Sequence, residues 1–179
     1  MAETRNLVLE IGTEEIPARF CAPALEQLRE NAAKALAEAR LDYEVVDVFG
    51  TPRRLVLYVR NLALRQRDVE VEVKGPPRKI AFDADGNFTV PARKFAEGQG
   101  VALEELEVRP DEKGGEYLWA RKRILGESAE TVLPPLLAGL VTSIHWPKAM
   151  RWADREIRYA RPIKWILAML GDRRVPFDV

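Results

Sequence analysis

Cysteine and histidine each occur once in the 179 residues. One cysteine closes no internal disulfide, which excludes a disulfide-stapled secreted scaffold. One of each excludes a Cys/His zinc site. Long hydrophobic runs are also missing. The longest, such as 165–170, fall far short of the roughly 20 apolar residues a membrane-spanning helix needs. Met1 to Asn6 leads into only a short apolar run, so no signal peptide is visible, and a reduced, cytoplasmic setting without a membrane is the expectation. An excess of one charge sign is absent: 28 Lys and Arg balance 28 Asp and Glu. A free-standing nucleic-acid binder usually shows a basic excess, because phosphate neutralisation supplies much of its affinity. Any such surface here has to be local. Phosphate-cradling glycine loops are missing as well. There is no G-x-x-x-x-G-K-[ST], and Gly98-Gln99-Gly100 follows a helix rather than opening one.

What is present is the composition of a soluble globular protein, 47% apolar and 31% charged. The length suits one ordinary domain or two small ones with a sizeable core. Leu7 to Ile11 reads as a strand ending at Gly12-Thr13. Pro17 suits a first helical turn. Cys21, Leu25, Leu28, Ala32, Ala35, Leu36 and Ala39 then recur at helical spacing, with Glu30 and Lys34 as an i,i+4 pair on the opposite side. Val45 to Phe49 reads as a strand, Gly50-Thr51-Pro52-Arg53 as a turn, and Leu55, Leu57 and Val59 as one face of a second strand. Val69, Val71 and Val73 alternate with Glu70, Glu72 and Lys74 in a half-exposed strand that Gly75-Pro76-Pro77 ends. A short helix from about Pro91 to Glu97 closes at Gly98 and Gly100, and residues 103–106 add a turn. Strands at 107–109 and 117–125 flank a Lys113-Gly114-Gly115 hairpin loop. Ser128 caps a helix carrying Val132, Leu133, Leu136, Leu137, Leu140, Val141 and Ile144, with Pro134-Pro135 in its first turn or kinking it. Residues 162–170 read as a buried strand, and Gly171 to Arg174 as a turn into the last five residues. The last strand stops without a polar tail, which suggests a piece of something longer. The order predicts an α+β fold of two β/α halves with mixed or antiparallel sheets. It divides into 1–77, a Gly/Pro-rich linker with short helices at 78–106, and 107–179.

Few residues are arranged for chemistry. Glu10, Glu14 and Glu15 cluster at the first βα turn. Paired carboxylates serve acid–base work or metal binding, but glutamates beside a helix N-terminus are also favoured by its dipole. Asp83-Ala84-Asp85-Gly86 has its glycine two positions too early for a calcium loop and reads as a turn. Cys21 falls on an apolar helix face and reads as a small core residue. His145 sits at a helix end, with no nucleophile or carboxylate marked as a partner. No catalytic residue and no metal ligand is therefore named.

The basic clusters carry more. Thr51-Pro52-Arg53-Arg54 places two guanidiniums at a turn. Residues 146–152 and 158–165 interleave cations with aromatics, and only Asp154 and Glu156 oppose Lys148, Arg151, Arg155, Arg158, Arg161 and Lys164. Arg and Lys neutralise phosphates, while Trp and Tyr stack on unpaired bases. Arg53, Arg54, Lys148, Arg151, Trp152, Arg158, Arg161 and Lys164 are thus candidate RNA contacts. The competing reading is a core strand whose arginines pair with Glu-rich segments and whose tryptophans are buried. If 161–165 is a regular strand, Arg161, Ile163 and Trp165 share one face, beside the core.

The same residues carry a family likeness. Leu9-Glu10-Ile11-Gly12-Thr13-Glu14-Glu15-Ile16-Pro17 resembles the amino-terminal signature of the β subunit of bacterial glycyl-tRNA synthetase. The likeness continues in order through Thr51-Pro52-Arg53-Arg54-Leu55, Gly75-Pro76, Ala81-Phe82-Asp83 and Phe95-Ala96. It ends with Pro147-Lys148-Ala149-Met150-Arg151-Trp152 and Arg161-Pro162-Ile163-Lys164-Trp165. Ala153 departs from it, since that family commonly has glycine there. The resemblance implies a two-subunit class II aminoacyl-tRNA synthetase, whose α subunit carries the catalytic core and uses ATP and Mg to activate glycine. It implies that this chain is the amino-terminal region of a several-fold longer β subunit, without that family's HD-like and anticodon-binding domains. The chain would hold no cofactor and be inactive alone. Its implied partners are the α subunit, tRNA(Gly) and the rest of the β chain. Two roles compete: a tRNA-binding module, or a scaffold that meets other subunits and domains without touching RNA.

Overall fold

A computed structural model describes residues 3–112, 114–152 and 156–179. Lys113 of the expected hairpin loop, Ala153, and Asp154 and Arg155 of the basic stretch lie outside the described residues. The chain folds as two compact units, one formed by the residues up to Arg67 together with Gly126–Val179, the other by Asp68–Leu125. The α+β class expected from the sequence holds, and both sheets are antiparallel throughout. The units do not follow one another, however. They separate at 67/68 and 125/126 rather than at 77/78 and 106/107. The second unit is inserted into the first.

In the first unit the elements are β1 (Thr4–Thr13), α1 (Ala18–Glu38), β2 (Val45–Thr51) and β3 (Arg54–Ala63). In the second they are β4 (Val69–Pro77), α2 (Arg78–Ala81), α3 (Val90–Gln99), a 3-10 turn at Leu103–Glu105, β5 (Glu107–Pro110) and β6 (Glu116–Ile124). The first unit then resumes with α4 (Ala129–Ser143), β7 (Ile163–Leu170) and β8 (Arg173–Arg174).

The first unit is built on a five-stranded sheet of order β2-β3-β1-β7-β8. Its register sets Leu9 opposite both Leu57 and Ala168, and Leu7 opposite Val59 and Leu170. Strand alternation therefore gathers Leu7, Leu9, Ile11, Leu55, Leu57 and Val59 on one face, where all are fully buried. That face is covered by Ala24, Leu28, Ala32 and Leu36 of α1 and by Leu133, Leu137, Leu140 and Val141 of α4, in one continuous core. α1 follows the spacing read from the sequence, but Lys34 lies 4.0 Å from Glu38 rather than pairing with Glu30. Ser128 caps α4, its hydroxyl accepting from the Thr131 N–H at 3.3 Å. Pro134 and Pro135 lie in the second turn of α4, not the first, so the carbonyls of Glu130 and Thr131 lack those intrahelical donors.

The second unit has a three-stranded sheet of order β4-β6-β5. Its small core joins Leu118 to Ala81 of α2 and Ala92 of α3. β4 runs on through Gly75-Pro76-Pro77 instead of ending there, with Pro77 opposite Tyr117. α3 closes at Gly100, whose φ of 69° is in the left-handed region. Asp83-Ala84-Asp85-Gly86 is a turn, the Asp83 carboxylate accepting from the N–H groups of Asp85 at 3.0 Å and Asn87 at 2.8 Å.

Candidate nucleic-acid interface

Three segments far apart in sequence meet at one end of the five-stranded sheet. Thr13 N–H donates to the Arg53 carbonyl at 3.0 Å, Ile16 N–H to that of Pro52 at 2.7 Å, and Glu14 N–H to that of Pro162 at 2.9 Å. The turn after β1 thus holds both the β2–β3 turn and the start of β7. Their charged side chains pair off one to one. Lys164 Nζ lies 2.6 Å from Glu14, Arg53 lies 3.3 Å from Glu15, and Arg54 lies 3.4 Å from Glu10. Glu10 also accepts from the Trp165 indole N–H at 2.8 Å. The hydrogen bond and charge of Lys164, with a smaller contribution from Arg53, hold the Glu14 carboxyl below its ordinary value. None of the three glutamates lies in the first turn of α1, and each makes an ion pair to another chain segment.

β7 is buried on one face only. A bulge between Gly12 and Thr13 sets Ile163 opposite Thr13 and Trp165 opposite Gly12. Ile163 packs against the core while Trp165 turns outward and is exposed. The bulge separates side chains that a regular strand would keep together. Its indole lies over Gly12, where a Cβ would overlap the ring, and the Arg54 guanidinium stands 5.9 Å from the ring centre.

The loop between α4 and β7 presents the remaining candidates. It is fastened at both ends. Trp146 and Tyr159 are buried and meet edge-on, ring centres 4.8 Å apart, and burial pushes the Tyr159 phenol well above its ordinary value. Met150 and Tyr159 exchange backbone hydrogen bonds of 2.8 and 3.1 Å. His145 is pinned through its backbone, its N–H donating to Gln27 at 2.8 Å and its carbonyl accepting at 3.1 Å. Arg151 and Arg158 flank the Met150–Tyr159 bridge on its loop side. Both are exposed, as is Lys148, and among the described residues no carboxylate pairs with any of the three. Arg161 is half-buried and donates to the Ala160 carbonyl at 2.9 Å. Trp152 is half-buried and packs against the core.

The eight candidates therefore sort into distinct groups. Arg53, Arg54 and Lys164 are exposed but paired, Trp152 and Arg161 are partly built into the fold, and Lys148, Arg151 and Arg158 stand clear. The glutamate partners were visible in the sequence as a cluster, but their pairing needed the βα turn to close on Pro52 and Pro162. Cys21 lies against the core, where burial pushes its thiol up and away from the reactive thiolate. Among the described residues no three His, Cys, Asp or Glu side chains are grouped to hold a metal ion, and no helix is long and apolar enough to cross a membrane.

The segments that converge here are among those whose order carried the family likeness, and comparison with known proteins agrees. The model of the family described as glycyl-tRNA synthetase beta subunit matches residues 7–179. The chain belongs to the glycyl-tRNA synthetase β-subunit family. It is 51% identical over 175 residues to the glycine–tRNA ligase beta subunit of Moorella thermoacetica, covering 98% of this chain and 25% of that protein. It is 48% identical to the Desulforamulus reducens beta subunit over 98% of this chain and 25% of that one. Against the Bacillus subtilis beta subunit it is 44% identical, over 98% and 26%. The chain spans about a quarter of the length of the curated relatives it matches, and corresponds to their amino-terminal quarter.

Proposed function

We propose that this chain is the amino-terminal part of a cytoplasmic β subunit that joins an α subunit, as a heterotetramer, in attaching glycine to tRNA(Gly) with cleavage of ATP. In this reading ATP and Mg act in the α subunit, and this part of the β chain binds no cofactor and performs no bond-making step. Its contribution is to hold tRNA backbone and support assembly with the α subunit and the rest of its own chain. The observation that carries the RNA-facing reading is the trio Lys148, Arg151 and Arg158 on an anchored loop, which no carboxylate neutralises among the described residues. Arg151 and Arg158 flank the same bridge, and a phosphate bound there would neutralise them and release counterions. The scaffold reading is favoured for Arg53, Arg54 and Lys164, whose carboxylate partners tie three chain segments together.

The test is the salt dependence of tRNA binding by the assembled enzyme. Arg151→Ala, Arg158→Ala and Lys148→Ala should each lower the slope of log affinity against log salt by about 0.7 to 0.9 per lost phosphate contact. Arg53→Ala should leave the slope unchanged. An unaltered slope in all three loop variants would sink the RNA-contact reading. The chain on its own should show no glycine-dependent ATP–pyrophosphate exchange.

A further inference from the structure

The face of the five-stranded sheet opposite the helices carries an exposed apolar patch among paired charges. Register puts Phe49, Val56, Val8, Leu167, Met169 and Trp165 on it. Phe49 is 57% exposed, Trp165 43% and Leu167 40%. The charges on this face largely neutralise each other. Glu10 pairs with Arg54, and Asp47 lies 3.2 Å from Arg60, leaving Arg174 at the β8 margin as the cation without a carboxylate partner among the described residues. Trp165 is preorganised. The Glu10 hydrogen bond fixes the indole edge, and Gly12 lets the ring lie close against the backbone, with its other side outward. A large aromatic held in one orientation at little remaining entropy is what an interface anchor requires.

We propose that this face is the seat of a segment of the same polypeptide, from the part of the β chain that follows residue 179 in the family's longer members. The relatives are matched over only 25% of their length, so about three-quarters of such a chain lies outside this structure. A tethered segment meets the face at high effective concentration without electrostatic steering. A face with exposed aliphatic and aromatic groups, whose charges apart from Arg174 pair with one another, resembles a permanent interface more than a transient one. It is unlike an RNA surface, which needs net positive charge. The proposal rests on family membership and on this face alone, so it stands or falls separately from the tRNA contacts on the α4–β7 loop.

Oxidative footprinting of a full-length β chain, purified without α subunit or tRNA, tests it. Phe49, Leu167 and Trp165 should react at least about fivefold more slowly than in the denatured chain, as residues in the core of an interface do. Protection that appears only when the α subunit is added, only with tRNA, or only with rising β-chain concentration overturns the proposal in favour of those occupants. Absence of protection under all conditions overturns it outright. A second readout guards against misfolding. Leu167→Asp, or the milder Leu167→Gln, should speed limited proteolysis beyond residue 179 in the full-length chain, and Val90→Asp, at an exposed site in the second unit, should not. Equal cleavage in the Leu167 variants and the parent chain also overturns it.

Discussion

At the scale of single residues, the decisive contacts join positions more than a hundred residues apart. Gly12 and Trp165 face each other across β1 and β7, and the indole occupies the space a side chain at 12 would fill. Gly12→Ala should therefore displace Trp165, break its hydrogen bond to Glu10 and destabilise the chain by about 1–3 kcal/mol, as overpacking does. Denaturant unfolding together with tryptophan fluorescence checks this. Glu14 has a lowered pKa chiefly because Lys164 hydrogen-bonds it. Its folded value lies below its unfolded one, so its stabilising contribution is present above the ordinary carboxylate range. That contribution is lost as pH falls through the lowered folded value. NMR titration should place Glu14 below an ordinary glutamate, and Lys164→Met should return it upward. The sequence showed three glutamates near a βα turn and several cations far downstream. It held no signal for which would meet, because ion pairing follows from distance in space and not from spacing along the chain.

At the scale of elements, periodicity was a reliable guide where apolar and polar residues alternate at the period of the element. The i, i+3, i+4 spacing of α1 and the alternation of β3 predict the observed buried faces, because a core selects apolar residues at the period of the element. Leu57→Ala, at the centre of the buried face, should cost about 2–5 kcal/mol. Ser128→Ala, which removes the cap of α4, should cost about 0.5–2 kcal/mol. Both are read from shifts in the denaturation midpoint. Local rules were poorer guides where tertiary contacts compete with them. Pro134 and Pro135 sit inside α4, whose apolar face, buried against the sheet and α1, outweighs the missing hydrogen bonds. Gly75-Pro76-Pro77 stays within β4 because, past an irregularity after Lys74, β6 pairs again at Pro77. The continuous apolar run of β7 reads as a fully buried strand, yet Trp165 and Leu167 face outward. A run of hydrophobic residues does not reveal whether its second face is covered by the same stretch of chain.

At the scale of the whole molecule, the first unit is assembled from both ends of the described chain, with the second inserted between β3 and α4. The chain leaves and returns at neighbouring points: Gln66 N–H donates to the Glu127 carbonyl at 2.9 Å, and Arg65 bridges to Ser128. Joining Arg67 to Gly126 through a linker of about three Gly/Ser residues, a length ordinary for such connections, should give a folded first unit. It should melt in one cooperative transition with the near-UV signal of packed aromatics. A non-cooperative melt would count against the insertion.

The sequence by itself determined the α+β class, the position of nearly every element, and membership of the family through motifs in a fixed order. Each of these depends on local propensity, periodicity or residue identity, which are properties of the linear chain. Only the tertiary structure decided that β1 sits between β3 and β7, that the middle of the chain forms an inserted unit, and that Arg53, Arg54 and Lys164 are paired while, among the described residues, Lys148, Arg151 and Arg158 meet no carboxylate. Those outcomes depend on which segments meet across a sheet. With 28 charges of each sign, the balance in the composition says nothing of where the partners lie.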